Sequence, residues 1–245
     1  MDWSLLILPV AAFFTSALTG VVGMGGGLML LVIMAELLSF SVLIPVHGIN
    51  QLVMHASRAA ISLRSINKTI VTQFALGSIP GVVLGYNYVP SVSENVFKVL
   101  LGCFVLVCLV LPSLKLNRKL PFKWPLVGGL TSFCGLFVDA TGILIAPFFI
   151  NEKLGKEVLV ASKAACQVFI HATKVIAFFM LGFTLGPYLL LIILMCLTSF
   201  AGSILSKYLL GKISDSMFNL LFKTILVLLA LRLIVLNGVA MLSGA

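Results

Sequence analysis

From Trp3 to Phe40 the chain is almost uncharged and apolar, yet five glycines interrupt it in the stretch Gly20-Val-Val-Gly-Met-Gly-Gly-Gly27. Glycine costs about 1 kcal/mol relative to alanine inside a helix. A broken backbone also exposes N–H and C=O groups that hydrocarbon cannot satisfy. A break at membrane depth must therefore be buried in protein or line a wet cavity. The helix that restarts near Leu28 would point free N–H groups and the positive end of its dipole into that cavity, which suits an anion.

The rest of the chain has the same apolar character. Hydrophobic residues make up 61% and charged residues only 9%, and the mean hydropathy is +1.22. These values lie outside the range of soluble globular domains. Further apolar stretches run roughly over 41–63, 69–88, 96–111, 124–150, 158–183, 187–210 and 217–242. Most match the ~20 residues that a bilayer crossing needs. The chain reads as an all-α polytopic membrane protein. No Lys or Arg precedes the first apolar run, so a signal-peptide n-region is missing and the first segment is expected to stay. The five cysteines fall inside apolar spans without metal-ligand spacing, so neither a disulfide framework, a zinc site nor any other cofactor is expected. The net charge of +9 comes largely from short loops between spans. There it marks a cytoplasmic face rather than nucleic-acid binding.

The chain contains an internal repeat. Residues 9–32 align with 124–147, placing Gly20 over Gly135 and Gly27 over Gly142. More sharply, Gln51-Leu-Val-Met-His55-Ala-Ser-Arg58 lies over Gln167-Val-Phe-Ile-His171-Ala-Thr-Lys174 at an offset of 116, and Ser93-Glu94 lies over Ser214-Asp215 at 121. The expected division is repeat 1 over 1–112, a basic cytoplasmic linker over 113–123, and repeat 2 over 124–245. If each glycine-broken segment were a full crossing, the ten loop cations would divide six against four between the two faces. If each dips in and returns as a re-entrant hairpin, with three transmembrane helices following, all ten fall on one face. The loop charge therefore favours two inverted repeats, eight helical segments in total, with both termini outside. A single long kinked crossing is the alternative for residues 9–35 and 124–150.

Ionisable residues inside a membrane are functional candidates because burying them is costly. His47, Gln51, His55 and Arg58 share one helical face, and Lys163, Gln167, His171 and Lys174 repeat the spacing. In inverted halves these stripes would pass each other antiparallel at the midplane. The expected binding residues are Gln51, His55, Arg58, Gln167, His171 and Lys174. The backbones of Gly25, Gly26, Gly27, Thr141 and Gly142 are expected to supply oxyanion donors. Guanidinium, ammonium, amide and helix N–H groups suit an oxyanion and not a metal or a neutral sugar. The bland reading is that the stripes only bond helix to helix. His55, His171 or Asp139 could carry a coupled proton, although Asp139 also reads as an N-cap for the half-helix starting near Gly142. Apart from hydroxyls such as Ser57, no nucleophile shares the stripe, and no acid is spaced to orient either imidazole, so an enzyme is not expected.

These residues resemble the TauE/SafE sulfite exporter family. Gly23, Gly25, Gly26 and Gly27 match its first motif, and a degenerate second copy precedes Ala146-Pro147. In that copy Val138, Asp139, Ala140 and Thr141 stand where a glycine-rich run is usual, and Val32 replaces an expected proline in the first half. The resemblance implies a secondary transporter of small sulfur-containing anions, such as sulfite or sulfoacetate, in the bacterial inner membrane, with a homodimer as the assembly it suggests. An anion channel of the same architecture is the alternative.

Overall fold

The computed structural model describes residues 6–22, 25–110, 122–138, 141–150, 152, 154–209 and 215–243. Among them are ten α-helices and no strand. The first half comprises α1 (Ile7–Val22), α2 (Gly26–Ala35), α3 (Phe40–Ile61), α4 (Lys68–Tyr88) and α5 (Glu94–Val110). The second comprises α6 (Lys123–Phe137), α7 (Thr141–Ile150), α8 (Lys156–Met180), α9 (Leu189–Leu209) and α10 (Asp215–Ser243). Each half opens with two short helices flanking the break and continues with three longer ones. Counting each broken segment as two helices turns the eight expected segments into ten. The segments 68–91, 157–180, 186–206 and 223–243 are long and apolar enough to cross a membrane, by length and composition.

Both broken segments double back. In the second half, Lys123 at the start of α6 donates from Nζ to the Phe148 carbonyl (2.8 Å) and to Glu152 Oε1 (2.7 Å), and the Trp124 and Phe149 rings stand 4.6 Å apart. The pair α6/α7 therefore enters and leaves at one end. In the first half, Gly25 turns the chain with φ of 98°, a region open to glycine at little cost. Gly26 then rests on Thr15 and Thr19 of α1, so closely that a side chain there would collide with the Thr15 carbonyl.

Helix packing follows the repeat. The contact α1–α9 is mirrored by α6–α4, and α3–α9 by α8–α4, while α3–α8 and α5–α10 pair equivalent helices with each other. Along α4 and α6, Gly77 meets Pro125, Gly81 meets Gly129, and Gly85 meets Phe133 and Leu136. The numbers rise together, so these helices run parallel, backbone against backbone, through a small-residue stripe typical of membrane interfaces. Their counterparts make the same contact, with Gly202 of α9 against the Phe13 carbonyl of α1. By contrast, α3 and α8 run antiparallel. Gly48 faces Lys174, His55 faces His171, Ser65 Oγ donates to Glu157 Oε1 (2.6 Å), and the Asn67 N–H donates to Ser162 Oγ (2.8 Å).

Helix ends are held locally and from afar. Asn67 caps α4 by accepting from the Ile70 N–H (3.1 Å), a common N-cap role. The first N–H of α3 has no such local cap; Phe40 N–H donates instead to Glu94 Oε2 of α5 (2.8 Å). Glu94 also pairs with Lys98 one turn along, as their spacing suggests. At the end of α2, Glu36 pairs with Arg232 of α10 (3.1 Å). The main apolar core is built from α2, the first turns of α3, and parts of α5, α9 and α10.

Candidate functional site

The antiparallel faces of α3 and α8, together with the first turns of α2 and α7, enclose a cavity of about 210 Å³. Gln51, His55 and Arg58 line it from α3, Lys163, Gln167 and His171 from α8, Gly25 and Gly27 from the first break, and Thr141 and Gly142 from the second. Among the described residues no Asp or Glu lines it. Depth is graded. Gln167 and His171 are 3% and 1% exposed, whereas Val160, two turns nearer the start of α8, is 49% exposed. The cavity therefore opens at the end that carries Arg64, Lys68 and Lys123, and Arg58 and Lys163 stand in its outer half.

At the centre each half places a glutamine amide against a glycine in the first turn of a helix. A Cβ on Gly27 would strike Gln51 Nε2, and one on Gly142 would lie 2.7 Å from Gln167 Nε2. A side chain at either position would displace the amide, and these two glycines match in the repeat. Thr141 Oγ1 donates to Gln167 Oε1 (3.0 Å), so the amide oxygen is occupied and its NH₂ faces the start of α7. N–H donors from two glutamines and two helix N-termini thus converge on one space, the arrangement in which an oxyanion is held by charge and hydrogen bonds together.

The departure of the second motif from glycine has a steric compensation. In the first half, a small residue on α2 (Gly26) faces Thr19 on α1; in the second, Thr141 on α7 faces Gly135 on α6, where an added Cβ would come 2.8 Å from the Thr141 methyl.

The imidazoles of His55 and His171 stack across the cavity with ring centres 5.5 Å apart and planes 4° from parallel. Behind His171, Lys174 is 1% exposed, and its Nζ donates to His171 Nδ1 at 3.0 Å. It does not line the cavity. Its stem packs on Gly48, where a Cβ would meet Cε at 2.9 Å. His47, fully buried, donates from Nε2 to the Gly27 carbonyl (2.9 Å) and so braces the first turn of α2. A side recess of about 30 Å³, reached past Gln51, His55 and Arg58, shares Thr19 with the main cavity and adds Thr15, Ser16 and Gly26.

Ten of the residues singled out from sequence as binding groups are brought together here, Gly26 in the recess and nine in the main cavity, with Lys174 one layer behind. Asp139 lies outside the described residues. Two side chains that the stripes contained but that were not singled out for binding take prominent places: Lys163 in the cavity and His47 beneath α2. Their spacing already placed them on the polar face. Their depth along antiparallel helices separates their roles, and no periodicity reports that.

The fold is that of a polytopic helical membrane protein whose two matching halves enclose a central basic cavity. The profile of the family described as Sulfite exporter TauE/SafE matches residues 8–233, and the chain belongs to that family. Comparisons with curated proteins and with solved structures returned no match.

Proposed function

We propose that this protein is a secondary transporter that carries a small sulfur-containing oxyanion, such as sulfite or a short organosulfonate, through the bacterial inner membrane by alternating access. The observation that carries the reading is the convergence of Gln51 and Gln167, packed on Gly27 and Gly142 at two helix N-termini, in a cavity whose charged lining is Arg58 and Lys163. Two cations in one confined space repel each other, and an anion between them relieves that repulsion. Two fixed charges suit a divalent anion. Inverted repeats, re-entrant hairpins, termini outside and a cytoplasmic basic end are the matching topology, supported by the antiparallel run of α3 and α8 and by the doubled-back segments. Beyond the cavity Lys174 packs on Gly48 and donates to His171, and this close packing supports the carrier reading over the channel.

The test is uptake of labelled sulfite into liposomes containing the purified protein. Arg58→Gln and Lys163→Gln should each lower kcat/KM about tenfold or more, since hydrogen bonds to charged groups contribute ~1.5–3 kcal/mol, with the protein still monodisperse. Unchanged transport in both variants would reject the site.

A further inference from the structure

The offset of 116 that carries Gln51 onto Gln167 and His55 onto His171 also carries His47 onto Lys163 and Arg58 onto Lys174. Because α3 and α8 are antiparallel, the members of each pair stand at opposite ends of the site. Arg58 and Lys163 line the open cavity. Their counterparts Lys174 and His47 are buried beyond the central histidines, Lys174 on His171 Nδ1 and Gly48, His47 on the Gly27 carbonyl. One to two turns further, the same helices reach a second cavity of about 400 Å³, bordered by Ser41 of α3 and Phe178 of α8. The offset places Ser41 and Phe178 opposite Glu157 and Ser62, at the open end. The second cavity is therefore the repeat counterpart of the first cavity's mouth. Solvent access is unequal in the same sense: Ile44 is 0% exposed and its counterpart Val160 49%.

In transporters with inverted repeats one bundle rocks against the other around a shared site, and by symmetry the state open to the other side is the one in which each half holds the conformation now held by its counterpart. The two states reuse similar contacts and so can lie close in free energy. Applied here, the exchange uncovers one cationic pair while it buries the other. We infer that Lys174 and His47 are a second anion-binding pair, buried in this conformation and facing the second cavity in the exchanged one, where Arg58 and Lys163 are buried instead. The inference rests on the transport reading. The anion is passed from one pair to the other across Gln51, Gln167 and the two stacked imidazoles, which serve both states. The pairs are unequal, Arg and Lys at one end against Lys and an imidazole at the other. A divalent anion is therefore held more tightly from the basic end and released more readily into the second cavity.

Sided kinetics test this. Labelled sulfite uptake is measured in right-side-out and inside-out vesicles, giving a half-saturation value for each face. Lys174→Gln should raise that value about tenfold at the face of the second cavity and by a distinctly smaller factor at the basic face, where it acts only through His171, with Arg58→Gln showing the opposite bias; tenfold corresponds to ~1.4 kcal/mol. Equal changes at both faces would make Lys174 a structural residue and overturn the inference. Should Lys174→Gln fail to fold, a variant lacking the five native cysteines reports instead. In it, Ile44→Cys should react with a membrane-impermeant thiol reagent added at the face of the second cavity, and Val160→Cys with reagent added at the other. An Ile44→Cys protein that transports sulfite yet is inert from both faces would also overturn it. A wild-type protein that moves no sulfite from either face fails at the level of the transport reading, and the two failures are thereby told apart.

Discussion

Adjacent glycines in this protein have different tasks. Gly26 lies against the backbone of α1, which cannot retreat, whereas Gly27 lies against the end of the flexible Gln51 side chain. Gly26→Ala should therefore force α2 off α1 and lower thermal stability by an amount typical of overpacking, ~1–3 kcal/mol or more. Gly27→Ala should leave the melting temperature nearly unchanged, displace the Gln51 amide, and raise the half-saturation for sulfite severalfold. A melting curve and a transport assay on both variants check the split, and equal loss of stability in the two would refute it. This distinction was not legible in the glycine run, because both residues interrupt the helix equally well. What Cβ would meet depends on helices brought alongside by the fold.

At the level of helices, the breaks, the repeat and the two polar faces were all readable, because each is a local pattern of residue type and spacing. The glycine stripe of α4 is not legible as an interface, since Gly77, Gly81 and Gly85 sit in an apolar run with no polar face to orient them. In the structure that stripe lets α4 lie against α6 backbone to backbone. Gly81→Ala should collide with the Gly129 carbonyl and destabilise the protein by ~1–3 kcal/mol. Gly238→Ala in α10, where a Cβ meets nothing within 4 Å, should be neutral or stabilise by up to ~1 kcal/mol through helix propensity. Fluorescence-detected thermal unfolding in detergent compares them directly, and a destabilised Gly238→Ala together with a tolerant Gly81→Ala would contradict the packing account. Lys174 illustrates a different limit. Its spacing put it on the polar face with Arg58, but its place behind His171 follows from depth along an antiparallel pair, which spacing alone does not encode.

Across the molecule, the two halves of the sequence are not its two structural bodies. Glycine-mediated backbone contacts of α1 on α9 and of α4 on α6 each join a helix from one half to a helix from the other, and α3 is capped by Glu94 from α5 while lying against α8. The seam in the chain therefore differs from any seam along which the protein could flex. A break in the polypeptide within 113–121 cuts none of these joints, so fragments covering 1–112 and 122–245, synthesised together, should find each other in the bilayer, co-purify and recover sulfite transport. Fragments that accumulate separately without associating would speak against it. For a protein of this build, the link between halves is a matter of delivery, keeping partners at high effective concentration during insertion, while the interlocked helices alone hold the assembled machine together.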